Sequence, residues 1–237
     1  MGYRKTAFSV GEYYHVYNRG VDKRIIFTST YEYNRFMLLL YLCNTSHPLN
    51  LRDILNKGLS FDKLFGHARG KSLVSIGAYC LMPNHFHILV KEVTEGGITN
   101  FMRKAGTAYS SFFNHSHERT GALFQGRFRA EHVNKDRYLK YLFSYIHLNP
   151  VKLINSQWKK NGIRNRKRAL AHLDAYHHSS FLDYKNENRA QSSILNRADF
   201  PDYFVSRSDF ESHIDDFLSF QKKADAGDSE NPRTVLG

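Results

Sequence analysis

Two apolar stretches, residues 72–81 and 85–90, flank the turn-forming Met82-Pro83-Asn84. Both have the residue types of β-strands, and Pro-Asn is where a chain reverses, so together they predict a hairpin. Side chains alternate faces along a strand. In His85-Phe86-His87-Ile88-Leu89-Val90 the two imidazoles therefore share one face and Phe86 takes the other. Any fold built on this hairpin must cover an apolar face and hold two imidazoles on the opposite side. Two imidazoles on one face of a rigid element are a ready pair of metal ligands. About sixty residues later, Tyr145 and Asn149 stand four apart in a helical-looking segment and also share a face. Packed against the strand, that helix brings a phenol and an amide oxygen up to the histidines: two ligands, a third ligand and a nucleophile. A packing reading stands beside this one. His-x-His pairs are common in strands, and Tyr145 also lies on an apolar stripe with Tyr138, Leu142 and Ile146.

The remaining pattern fixes the setting. At 237 residues and 41% hydrophobic, the chain suffices for one good-sized core, with room for an appended piece. A net charge of +12 points to a polyanionic partner, nucleic acid first. The 15 Tyr and 18 Phe add stacking surface for unpaired bases, although the Phe set reads mainly as core. Only Cys43 and Cys80 are present, too few for a disulfide framework or a zinc ribbon. The N-terminus has no apolar stretch of signal-peptide type, and the longest apolar run, 36–43, falls far short of the ~20 residues that span a bilayer. These features predict a cytoplasmic protein.

In order, residues 12–19 read as a first strand and 30–44 as a helix capped by Thr28, Ser29 or Thr30. Residues 45–71 read as an insertion with a short helix at 51–56, followed by the hairpin. A long helix is predicted over 98–118, with Arg103, Lys104 and Thr107 off its apolar stripe. The segment 121–133 ends in another strand, and a helix from Asp136 carries Tyr145 and Asn149 until Pro150 stops it. This alternation predicts an α+β fold with a central, mostly antiparallel sheet and packed helices. A basic, partly helical extension follows over 156–220, with Lys159, Lys160, Arg164, Arg166, Lys167 and Arg168 near its start, then a polar tail over 221–237 read as disordered. His115-Ser116-His117 repeats the His-x-His spacing on a helix, where residues two apart diverge, and Tyr109 lacks an amide four residues on; neither reads as a site.

Residues 79–90, 123–130 (Leu-Phe-Gln-Gly-Arg-Phe-Arg-Ala), 145–151 (Tyr-Ile-His-Leu-Asn-Pro-Val) and 14–20 (Tyr-His-Val-Tyr-Asn-Arg-Gly) form four ordered motifs. Together they resemble the IS200-like single-tyrosine transposases of the HUH nuclease class, most of all the REP-associated tyrosine transposases. The resemblance covers roughly residues 10–155 and implies a ferredoxin-like palm over residues 1–155, with 45–71 an insertion. Carried over residue by residue, it makes His85, His87 and Asn149 ligands of a divalent cation, Mg²⁺ or Mn²⁺, and Tyr145 the nucleophile. Arg127 and Arg129 beside Gly126 are the foremost DNA-contact candidates, followed by Arg19, Arg103 and Lys104; in a strand Arg127 and Arg129 would share a face.

The implied activity is a metal-dependent single-stranded DNA endonuclease and strand transferase. It would nick DNA near short hairpins through a 5′-phosphotyrosine intermediate, acting as a monomer. Two alternatives remain. One is a non-catalytic hairpin DNA or RNA binding protein derived from a transposase, which would not need all four site residues. The other is a zinc hydrolase, for which no His-Glu-x-x-His motif is present.

Overall fold

In the computed structural model, which describes residues 7–158, 162–163 and 165–220, the hairpin forms as β2 (Val74–Met82) and β3 (His85–Glu92). β1 (Tyr13–Arg19) pairs antiparallel with β3 on one side and with β4 (Arg129–Val133) on the other. The sheet order is β2-β3-β1-β4, the ferredoxin-like arrangement, and it makes the histidine strand an inner one. The α+β expectation with an antiparallel sheet is met.

Alternation along the strands produces two cores. Tyr14, Val16, Phe86, Ile88 and Val90 point to the face covered by α1 (Thr30–Leu42) and α4 (Gly97–Ser116). Ala78, Cys80, Met82 and Leu89 point to the face covered by α5 (Asp136–His147) and the C-terminal extension. Buried polar groups fix how the helices meet the sheet. Ser29 caps α1, and the Glu32 carboxylate accepts from the Thr28 hydroxyl at 2.9 Å. The Glu92 carboxylate accepts from Gly97 N and Ile98 N at 3.1 and 3.2 Å, a negative charge on the positive end of α4. Asn44, fully buried, bonds Leu73 and Val74 backbone groups and so ties the end of α1 to the start of β2.

Three local expectations change. The insertion holds two short helices, α2 (Leu51–Leu55) and α3 (Phe61–Leu64), not one. β4 starts at Arg129, so Arg127 lies in the preceding loop and does not share a strand face with it. α5 ends at His147, and Asn149 opens a separate 3-10 turn, Asn149–Leu153, since Pro150 has no N–H with which to continue the α-helical ladder. Of the basic run, Lys159, Lys160 and Arg164 lie outside the described residues, as does the segment 221–237 expected to be disordered. Among the described residues no helix is long and apolar enough to cross a membrane. Cys43 and Cys80 are buried thiols, and burial pushes Cys43 up to about 12.

The extension packs onto the sheet as the helices Arg166–Asp174, Phe181–Tyr184 and Arg207–Phe220. A bulge at Gly77 lets the Phe200 ring approach: a Cβ there would meet it at 2.7 Å, and Tyr184 OH donates to Gly77 O at 2.8 Å. Beside this contact Asp183 is 2% exposed, with Arg189 Nε 2.9 Å from its carboxylate. Burial pushes its pKa up to about 6, against the pull of Arg189 and Arg197. A carboxyl whose folded pKa exceeds its unfolded value of ~3.9 favours the fold fully below that value and loses this contribution as pH rises through about 6. Wild type minus Asp183→Asn stability, from urea unfolding between pH 4 and 7, should therefore fall by on the order of 2–3 kcal/mol as pH increases. A flat difference would show that the carboxyl titrates normally.

Candidate active site

The face of β3 that carries His85 and His87 is continued by its neighbours. Arg19 stands opposite His85 and Tyr17 opposite His87, while His15 of β1 stands opposite Glu131 of β4. Residues directly opposite across antiparallel strands project to the same face. One surface therefore gathers three imidazoles, a carboxylate, a phenol and the guanidinium-bearing Arg19 and Arg129, with Tyr145 of α5 lying over it.

The His85 and His87 rings are 5.0 Å apart and nearly perpendicular, at 88°. The Tyr145 ring meets His87 edge-on at 5.5 Å. Each histidine has its Nδ1 engaged: His85 by Asn84 Oδ1 at 2.6 Å, His87 by His15 Nε2 at 2.9 Å. Engagement of one ring nitrogen selects the tautomer and turns the other, Nε2, toward a ligand. His15 is 1% exposed, stacks on His87, and has its Nδ1 3.9 Å from Glu131 Oε2. Tyr17 OH donates to Glu131 Oε1 at 2.7 Å and Tyr138 OH to Oε2 at 3.4 Å. Burial alone would push the Glu131 carboxyl up, but the nearby His15 ring and the hydrogen bond from Tyr17 outweigh it and hold the group below its ordinary range.

Tyr145 is nearly buried, and burial pushes its phenol up, reinforced by Tyr141 and Glu131 and opposed by the Asn149 amide. Asn149 is fully buried and donates through Nδ2 to Tyr145 O at 2.8 Å. Its Oδ1 has no hydrogen-bond partner among the described residues. A buried amide oxygen left without a partner costs ~1–3 kcal/mol, so its retention needs a reason. Two imidazoles and an amide oxygen are a donor set suited to Mn²⁺ and its neighbours. Among the described residues no cluster of three or more His, Cys, Asp or Glu side chains could hold a metal, so a cation here would need that amide oxygen as its third protein donor.

The five cations singled out by sequence divide. Arg19 and Arg129 lie on the histidine face, and Arg19 Nε is hydrogen-bonded to Gln125 Oε1. Arg103 and Arg127 lie on the far side of the sheet, beside α4. Lys104 is held by the insertion, donating to Thr45 O at 2.7 Å and His47 O at 3.2 Å. The two rejected motifs are structural: Tyr109 is fully buried with its hydroxyl on Ile26 O, and His117 pairs with Glu32. His147, two residues before Asn149, points away; it bonds Ser180 Oγ at 2.7 Å, and burial pushes its pKa down to about 3.

His15, Tyr17 and Glu131 were not singled out by sequence as site residues. Tyr-His-Val-Tyr at 14–17 was a visible motif, and its alternation puts His15 and Tyr17 on one face. What sequence could not supply is the pairing of β1 between β3 and β4.

The family described as Transposase IS200 like matches over residues 52–149, which bears out the resemblance carried by the motifs. The match spans β2, β3, α4, β4 and α5 but not β1. The chain is also similar to a solved REP-associated tyrosine transposase bound to a REP hairpin, at 14% identity and a TM-score of 0.46, over 79% of this chain and 87% of that one. No curated protein matches the chain.

Lys104→Met should lower Tm by roughly 3–6 °C, the loss of two backbone contacts worth about 1–2 kcal/mol in all. An unchanged Tm in differential scanning calorimetry would show that the insertion is held without it.

Proposed function

We propose that this chain is a metal-dependent single-stranded DNA endonuclease and strand transferase that nicks DNA near short hairpins through a 5′-phosphotyrosine. The supporting observation is that the Tyr145 ring lies over the face bearing His85 and His87, with Asn149 bonded to the Tyr145 carbonyl and its Oδ1 without a hydrogen-bond partner among the described residues. The family match over the segment that contains all four residues supports the same reading. All four come from one chain, which suits a monomer.

His85, His87 and Asn149 would hold the cation, Mg²⁺ or Mn²⁺, which when bound neutralises charge at the scissile phosphate. Tyr145 Oη attacks phosphorus: the Tyr O–P bond forms, the bond to the 3′ oxygen breaks, and the phenol proton ends on that oxygen. The ester preserves the phosphodiester's free energy, so the step can run backwards and rejoin strands. That suits transfer better than hydrolysis. Arg19 and Arg129 would receive phosphates on the same face, and such contacts make affinity fall with salt.

Tyr145→Phe should abolish a metal-dependent, protein-linked 5′ product formed from a library of labelled hairpin DNAs, read on a denaturing gel, while salt-sensitive binding persists. Binding without any adduct in wild type would favour a transposase-derived binding protein.

His15 acts through His87. If His87 ligates through Nε2, its Nδ1–H donates to His15 Nε2, and His15 must carry its own proton on Nδ1, facing Glu131. His15→Ala should weaken Mn²⁺ binding about 10–100-fold in an EPR titration without DNA. Wild-type affinity would show that His15 does not orient the ligand.

A further inference from the structure

The strand that bears the histidines starts from a turn that a second loop holds tightly. Asn84 lies at the tip of the hairpin, between Pro83 and His85. The loop that leaves β1 wraps this tip: Gly20 N donates to Asn84 O at 2.9 Å, and Ile26 N and Phe27 N donate to Pro83 O at 2.8 and 3.1 Å. Within the loop Lys23 N donates to Gly20 O and Arg24 N to Val21 O, both at 3.1 Å, so residues 20–24 close on themselves. A Cβ at Gly20 would collide with Arg24 O, which is why the turn needs glycine there. Asp22 and Lys23 stand at φ 56° and 58°, a left-handed region that residues with a side chain enter at a cost. Two such residues in succession persist only where their surroundings fix them. One contact that does so is Asn84 Nδ2, which donates to Lys23 O at 3.2 Å.

That bond decides how the neighbouring imidazole is protonated. A backbone carbonyl can only accept, so the Asn84 NH2 faces Lys23 and Oδ1 faces the other way. Oδ1 lies 2.6 Å from His85 Nδ1. An amide oxygen also only accepts, so His85 Nδ1 carries the proton, and in a neutral ring the lone pair belongs to Nε2. Turning the amide over would set its oxygen against the Lys23 carbonyl. His87 differs, because its partner is another imidazole and the proton between them can belong to either ring. The fold thus dictates the tautomer of His85 through a chain that ends on the backbone.

We infer that Asn84 is a positioning residue for His85. One amide, set by the Lys23 carbonyl, holds the ring as the Nδ1–H tautomer and presents the Nε2 lone pair to a divalent cation, with the turn 20–24 as its strut. The positive φ of Lys23 serves to aim its carbonyl at the hairpin tip. The inference rests on the reading of His85 as a metal ligand, and not on DNA cleavage.

The test uses the metal-free full chain, labelled with nitrogen-15, at about pH 8, well above the ~6.5 of an ordinary imidazole. His85 is assigned by the ring signals lost in His85→Gln, and two-bond proton–nitrogen correlations report which ring nitrogen bears the proton. The expected result is Nδ1–H in the wild type, the reverse of the Nε2–H form that histidine prefers in water. Asn84→Asp keeps an acceptor against Nδ1 and should retain that tautomer. Asn84→Ala should lose it and bind Mn²⁺ about 10–100-fold more weakly in an EPR titration without DNA. Weaker binding with an unchanged tautomer would mark a merely structural role and overturn the inference. So would Nε2–H in the wild type or in Asn84→Asp, or wild-type affinity in Asn84→Ala. Should Asn84→Ala fail to fold, the wild type and Asn84→Asp decide the matter. Absence of Mn²⁺ binding by the wild type defeats the ligand reading and the positioning role with it. Mn²⁺ binding together with any of the overturning results defeats the positioning role alone.

Discussion

Alternation along β3 is the constraint from which the rest of the molecule follows. Its odd positions put His85 and His87 on one face, and its even positions put Phe86, Ile88 and Val90 on the other. α1 and α4 cover one face of the sheet, and α5 with the C-terminal extension covers much of the other, so His87 is buried on the imidazole face as well. His87 is only 7% exposed and needs a polar partner. His15 supplies it, Glu131 stands behind His15, and Tyr17 and Tyr138 complete the carboxylate. This chain of polar groups crosses three strands and depends on their register. A slip of one residue in β1 would drive His15 into the apolar core and bring Tyr14 and Val16 against the histidines.

The end of α5 solves a second local problem in a way that also builds the site. A helix leaves its last carbonyls without partners, and Pro150 prevents continuation. Asn149 answers with its Nδ2, which caps the Tyr145 carbonyl four residues back. An amide group that spends its nitrogen on the cap has its oxygen held in a fixed orientation. One side chain thus terminates the helix and fixes the oxygen beside the phenol, which ties the spacing of Tyr145 and Asn149 to the cap whether or not both are helical.

Local pattern made much of this legible. Periodicity, caps and the Pro83-Asn84 turn yielded the strands, the principal helices and the pairing of the two histidines on one face. The missing parts are those set by long-range contact. Nothing near His15 in the chain says that it will meet His87, since that depends on β1 inserting between β3 and β4. Lys104 reads as an exposed cation because the carbonyls of Thr45 and His47 that receive it are nearly sixty residues away. Arg127 was grouped with Arg129 by a period of two, but Gly126, at φ 69°, belongs to a turn and the strand begins only at Arg129. The bulge at Gly77 was also invisible, because its cause is the Phe200 ring, far along the chain.

Two pairs of like residues separate what the fold needs from what it merely tolerates. His147 and Asn149 are both fully buried polar groups at the end of α5. His147 answers through Nε2 to Ser180 Oγ and burial holds its ring neutral, while its Nδ1 and the Asn149 Oδ1 both lack a hydrogen-bond partner among the described residues. Gly77 and Gly106 make a parallel contrast. Replacing Gly77 would force a side chain into Phe200, whereas replacing Gly106 would meet open space and favour the helix. A residue that costs stability and that no neighbour requires is under some other demand.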